Sequence, residues 1–217
     1  MRKGAVIVET RPIPNLKEII EGHLKYLPDD WGLTVYLSEE NKIANFSRPA
    51  RCHIIRPINV MGYNSLFKDE LFWEGLPYDK VLVFQSDSML LREGIEDFLE
   101  WDYVGAPWKF QEHGGNGGLS LRDVDLMAYL CKHYSFTARN EDVLFCNLME
   151  KHGLGKMAPR DICSQFSTEA IYSEGTIGYH GIDKWLTPEE CNNIRTQYDR
   201  DTVTKEDIKE WIKYVTK

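Results

Sequence analysis

The chain has 217 residues, a formal net charge of -8, 42% hydrophobic and 28% charged residues, a composition that fits one globular domain with a single substantial core. An acidic balance with no Lys/Arg cluster excludes a general nucleic-acid binder, while a nucleotide can still be held by a few local donors or a metal ion. Cys52, Cys131, Cys146, Cys163 and Cys191 form no CxxC pair, so neither a zinc ligand set nor a disulfide framework is indicated, and a reducing compartment fits best.

The apolar run at residues 5–8 is too short for a signal-peptide core or a membrane span and reads as a buried first strand. "TRPIPN" breaks it, and Leu16, Ile19, Ile20, Leu24 and Leu27 then recur at helical spacing. "PDDWG" is a turn, "LTVYLS" a second strand and "CHIIRPI", residues 52–58, a third. "NSLFKDELFW" reads as a helix capped by Asn64, with Leu66, Phe67 and Leu71 as apolar anchors. "KVLVF", Lys80–Phe84, is apolar on both faces and therefore central. "GIEDFLEW" is a short helix and "YVGAPW" an extended piece. "GGNGGLSLR", residues 114–122, predicts a tight turn that opens a helix over residues 119–134, and a further helix follows over residues 142–151. Thr187 ahead of Pro188 and Glu190, and Thr204 ahead of Asp207, both mark helix starts near the C-terminus. Strands alternating with helices predict an α/β fold with a mostly parallel sheet, in one domain over residues 1–217.

In open parallel sheets, ligands bind beyond the carboxyl ends of the strands. After the fourth strand comes "QSDSM", where Asp87 is either a turn cap or a ligand for a hard cation. After the first strand comes Glu9-Thr10-Arg11, whose arginine can meet a phosphate or a base. In "NEDVLFC", Asn140 can cap a helix whose first turn holds Glu141 and Asp142. Those acids either stabilise the helix dipole or present a general base to a cleft. "GYHGIDKW" places His180, a possible metal ligand, ahead of Lys184, a possible phosphate contact.

Taken in order, "VLVFQSDSML", "GGNGGLSLR", "NEDVLFC" and "GYHGIDKW" resemble the landmarks of GT-A-fold glycosyltransferases, especially the compact soluble glycosyltransferase-like proteins of bacteria, fungi and large DNA viruses. The resemblance implies a GT-A-type, Rossmann-like mixed sheet flanked by helices. It also implies transfer of a sugar from a nucleotide-sugar donor, with a UDP-sugar such as UDP-glucose as the default, to an acceptor hydroxyl on a glycan, protein or lipid. Carried over by position, Asp87 and His180 would hold Mn2+ (or Mg2+), and Lys184 would contact the diphosphate. Thr10 and Arg11 would lie near the base and ribose, and Gln85 and Ser86 would be donor contacts in the DxD-like element. Gly117 and Gly118 would let backbone approach the donor sugar, with Asn116 and Ser120 offering hydrogen bonds. Asp142 resembles the catalytic base of inverting members, with Glu141 as its nearest rival. Gln85 departs from the pattern, since a neutral amide replaces the first acid and weakens the metal site. That departure supports an alternative, a nucleotide-sugar-binding module with weakened chemistry. A sugar nucleotidyltransferase is disfavoured because "ETRPIPN" has no glycine after the first strand, and a serine hydrolase because no GxSxG occurs. With no membrane anchor in the sequence, a cytoplasmic enzyme is expected, in the host cytoplasm if virus-encoded, and the acidic balance argues against a nucleic-acid partner; oligomeric state is not readable.

Overall fold

The central strand is built from five consecutive buried residues, and the rest of the molecule is layered on it. The structure, a computed structural model, describes residues 1–134 and 140–196. In chain order these form β1 (Lys3–Glu9), α1 (Leu16–Leu24), β2 (Gly32–Leu37), β3 (Ala50–Ile54), α2 (Val60–Phe67), α3 (Glu70–Glu74), β4 (Lys80–Phe84), β5 (Ser88–Leu90) and β6 (Tyr103–Ala106). There follow β7 (Asn116–Asp123), α4 (Val124–His133), α5 (Glu141–His152), α6 (Arg160–Phe166), β8 (Ser167–Thr168), β9 (Gly178–His180) and α7 (Pro188–Thr196).

The main sheet has the order β3-β2-β1-β4-β7-β6. β1 pairs in parallel with β2 and β4, and β2 with β3, whereas β7 runs antiparallel to both β4 and β6. It is a mixed, mostly parallel α/β sheet flanked by helices. The two-residue period of the strands divides the core. Ala5, Ile7, Leu82, Phe84, Leu119 and Leu121 face α1, while Val6, Val8, Val81 and Val83 face the layer that holds α4 and α5. A second sheet, β5-β9-β8, stands beside the carboxyl end of β4.

Two expectations from the sequence are corrected. Residues 119–123 continue a strand, and the helix begins only at Val124, where Asp123 caps it by accepting from Leu126 N at 2.8 Å. Leu119 and Leu121 alternate with Ser120 and Arg122, a period of two, so the pattern itself was that of a strand. The tight turn lies earlier, at Gly114 (φ 80°) and Gly115 (φ 139°). There β6 and β7 cross so closely that a side chain at Gly105 or Gly115 would overlap the opposite backbone. The second correction concerns "NSLFKDELFW", which forms two helices. Asn59 caps α2, accepting from Gly62 N at 3.0 Å, and Asp69 caps α3, accepting from Leu71 N at 3.0 Å. Asn64 lies inside α2, Leu71 is exposed, and the anchors are Phe67, Phe72 and Trp73. At α7, Thr187 and Glu190 form the reciprocal capping box, with Thr187 N donating to Glu190 Oε2 at 2.8 Å and Glu190 N to Thr187 Oγ1 at 3.3 Å. The helix start expected at Thr204 lies outside the described residues.

Candidate functional site

A cleft of about 640 Å³ opens beyond the carboxyl ends of β1 and β4. The antiparallel direction of β7 matters here: its first residues, Asn116–Gly118, run alongside the end of β4, with Gln85 N donating to Gly118 O at 2.9 Å. Helix α5 starts on the opposite wall. Of the residues singled out from sequence, Thr10, Arg11, Gln85, Asp87, Asn116, Gly117, Gly118, Glu141, Asp142, His180 and Lys184 all line this one cleft.

On the β1 side, Arg11 is held by the buried Glu9, donating from Nε at 3.0 Å and Nη2 at 2.6 Å. Ser86 Oγ donates to the same carboxylate at 2.6 Å. Burial works against the Glu9 charge, but these bonds from Arg11 and Ser86 outweigh it and hold the carboxyl below its ordinary value. Ser86 thus serves the Glu9–Arg11 pair and is not among the residues that line the cleft. Thr10 Oγ1 accepts from Ile58 N at 3.0 Å, which docks the segment leading into α2.

At the end of β4, Asp87 Oδ1 lies 3.2 Å from His180 Nε2, and Asp87 Oδ2 accepts from Lys184 Nζ at 2.7 Å. His180 Nε2 is also 3.1 Å from Gln85 Oε1, and its Nδ1 lies 3.3 Å from the buried Glu169. Burial would raise the Asp87 carboxyl, yet His180 and Lys184 hold it well below the carboxylate range. Burial would likewise lower His180, but Asp87 and Glu169 outweigh it and push it up to about 9.

Asp87 and His180 would supply two of the ligands of a divalent cation, once the His180 ring gives up its Nε2 proton. Two neighbouring ligands of an octahedral ion with bonds of about 2.1 Å lie about 3.0 Å apart, close to the 3.2 Å between Asp87 Oδ1 and His180 Nε2. Lys184 occupies the other oxygen, and Glu169 backs the far nitrogen of the ring, as carboxylates do behind metal-bound histidines. Among the described residues no group of three or more His, Cys, Asp or Glu side chains could hold a metal ion. The remaining ligands would therefore have to come from Gln85, water or substrate.

On the other wall, Asp142 accepts from Gly117 N at 3.0 Å through Oδ2 and from Val143 N at 2.7 Å through Oδ1. Its neighbour Glu141 is turned away and buried against Arg122, at 2.8 Å and 3.1 Å. Burial raises the Glu141 carboxyl, with the Arg122 guanidinium opposing that rise. Ser120 is fully buried and donates to Gly117 O at 3.0 Å, so it does not face the cleft. The glycines also have a reason of their own. A side chain at Gly117 would overlap Arg122 and Glu141, and one at Gly118 would overlap the His180 ring. Asn116 Oδ1 folds back to accept from Gly118 N at 2.7 Å.

Sequence reasoning assigned no site role to Glu9, Tyr63, Asn64 or Glu169. Glu9 adjoined Thr10 and was within reach of it. Tyr63 lines the cleft with its hydroxyl buried. Asn64 accepts from Glu141 N at 2.8 Å and so caps α5 from across the cleft, a contact no local pattern signals.

This sheet order, with its cleft at the ends of β1 and β4, defines an α/β protein of GT-A-like, Rossmann-type topology. The glycosyltransferase GlyE of Streptococcus pneumoniae TIGR4 is similar in structure, with a TM-score of 0.50 and 12% identity over 98% of this chain and 60% of that one. Mouse xyloside xylosyltransferase 1 is similar with a TM-score of 0.52 and 11% identity over 85% of this chain and 99% of that one. The chain thus spans only 60% of the length of GlyE. Comparison of the sequence with curated proteins finds no match. A family profile described as "Protein of unknown function (DUF5672)" matches residues 55–180, and the chain belongs to that family. Among the described residues no helix is long and apolar enough to cross a membrane.

Proposed function

We propose that the cleft binds a nucleotide sugar. The observation that carries this reading is the two-sided arrangement of one cavity: Arg11, Lys184, Asp87 and His180 on one side, the Gly117 backbone and Asp142 on the other. Arg11 and Lys184 are the cations within reach of a base or a diphosphate, and both are oriented by carboxylates that hold them over the cleft. A bound Mn2+ or Mg2+, held by Asp87 and His180, would supply charge that favours a diphosphate. The sugar then faces the strip Asn116–Gly118 and the Asp142 carboxylate.

The position of Asp142 favours a second, stronger reading, in which the bound sugar is transferred. Its carboxylate stands at the helix start, accepts from the backbone of the sugar-facing strip, and lines the cleft. There it would take the proton of an acceptor hydroxyl as the glycosidic bond breaks. Glu141, committed to Arg122, leaves that role to Asp142.

Thermal-shift measurements with UDP, GDP and dTDP, each with Mn2+, test binding: one of them raises the melting temperature, and failure of all three refutes the proposal. Hydrolysis of the matching nucleotide sugar tests chemistry. Asp142→Asn should slow it about 10²–10⁴-fold if Asp142 is the base, with nucleoside diphosphate binding retained. An absent hydrolysis in the wild type leaves the binding-module reading alone.

A further inference from the structure

Arg122, the last residue of "GGNGGLSLR", is 0% exposed and does not line the cleft. Its planar group is nevertheless connected to both walls. Nη1 and Nη2 donate to Glu141 at 2.8 Å and 3.1 Å, Nη2 donates to Gly117 O at 3.2 Å, and Nε donates to Ser120 Oγ at 2.8 Å. Ser120 passes that connection on by donating to the same Gly117 carbonyl. From Gly117 the chain of contacts turns into the cleft, where its N–H meets Asp142 Oδ2 at 3.0 Å.

We propose that Arg122, acting through Glu141 and Gly117, is the positioning residue that fixes the Asp142 carboxylate against the sugar-facing strip of β7; its consequence for ligands rests on the nucleotide-sugar reading of the cleft. Stability alone does not call for this pair. A buried ion pair can often be replaced by packed apolar side chains without loss, and the surroundings here, Phe67, Trp73, Tyr103 and Phe145, are all aromatic. What apolar packing cannot supply is direction. The guanidinium fork binds the carboxylate of Glu141, the first residue of α5, and the Gly117 carbonyl at the same time. With Glu141 fixed, and its N–H capped by Asn64 at 2.8 Å, the next side chain, Asp142, has its azimuth on the helix determined. With Gly117 O fixed, the neighbouring Gly117 N–H is aimed at that carboxylate. The missing side chain at Gly117 is the space into which this fork fits.

The test uses Glu141→Gln, which keeps shape and removes charge, and Arg122→Lys, which keeps charge and removes the fork. Amide hydrogen exchange reads position directly. The Gly117 amide should exchange about tenfold faster in either variant, while the amides of Val6 and Val83 in the central strands stay as they were. Unchanged exchange at Gly117, or equal acceleration in the central strands, overturns the proposal. The second readout is the affinity of UDP and of UDP-glucose, each with Mn2+. The gain in affinity that the sugar contributes should fall about tenfold, with UDP itself held to within about twofold. Equal weakening of both ligands, or of neither, counts against Arg122 as a positioning residue. If Arg122→Lys fails to fold, Glu141→Gln and Ser120→Ala carry the same two measurements. If the wild type binds neither UDP nor UDP-glucose, the nucleotide-sugar reading falls, and the Gly117 exchange still decides whether Arg122 holds Asp142 in place.

Discussion

Acidification should unfold this protein partly through one histidine that lies outside the cleft. His23 on α1 is fully buried and stacks on Phe84 with ring centroids 4.3 Å apart. Its Nδ1 is 2.9 Å from Ile19 O, and a carbonyl can only accept, so Nδ1 carries the proton and Nε2 faces the Ser88 hydroxyl at 3.2 Å. The Ser88 hydroxyl, which donates to Gln85 O, could accept from a protonated Nε2 as well, so partners do not decide the charge and burial does. Burial accordingly pushes its pKa from 6.5 down to about 4, with the Ile19 carbonyl opposing the fall. The sign follows from proton counting. Between those values the unfolded chain binds a proton that the folded chain refuses, so stability is full above 6.5 and is lost as the pH falls toward 4. At about 1.36 kcal/mol for each pH unit the loss is ~3 kcal/mol, with most of it already lost at about pH 4.5. Urea unfolding of the wild type and of His23→Gln at pH 7 and pH 4.5 isolates this residue, because the other titrating groups are common to both. The wild type should lose ~2–3 kcal/mol more than the variant over that interval. Equal losses would refute the assignment of a neutral, buried His23.

Two substitutions probe the walls of the cleft. Gly118→Ala places a methyl group in the His180 ring, which must swing away from Asp87 and Gln85. The expected cost is ~1–3 kcal/mol in thermal stability, together with loss of any Mn2+-dependent rise in melting temperature; an unchanged melt and metal response would show that the ring is free to move. Asn64→Ala removes the cap of α5 and should cost about 1 kcal/mol, a fall of about 2–4 °C in the melting temperature. A neutral outcome would mean that the Glu141 N–H finds another partner.

Local pattern was enough wherever the physical cause was local. Four consecutive apolar residues, 81–84, behind Lys80 could only be buried on both faces, and they form the central strand. Thr187 and Glu190 stand three apart, as a capping box requires, and they bond reciprocally. The residues at the ends of β1 and β4 were legible for the same reason, because a strand's last residues reach the sheet edge wherever the strand ends. Local reading went astray at Leu119, where the glycine turn suggested a helix start and the two-residue alternation was passed over.

By itself, then, the sequence determined an α/β chain with acidic, amide and basic residues waiting at its strand ends. Tertiary structure decided how they meet. The reversed direction of β7 lays Gly117 and Gly118 beside the end of β4. The pairing of β9 with β5 sets His180 against Asp87, and the turn after it brings Lys184 to the same carboxylate. The roles of Glu141 and Asp142, adjacent acids that look alike in the chain, were divided by Arg122, 19 residues before Glu141. One acid is neutralised in an aromatic core and the other is turned to the cleft, because a buried guanidinium must have a partner and the helix lets only one of the two reach it.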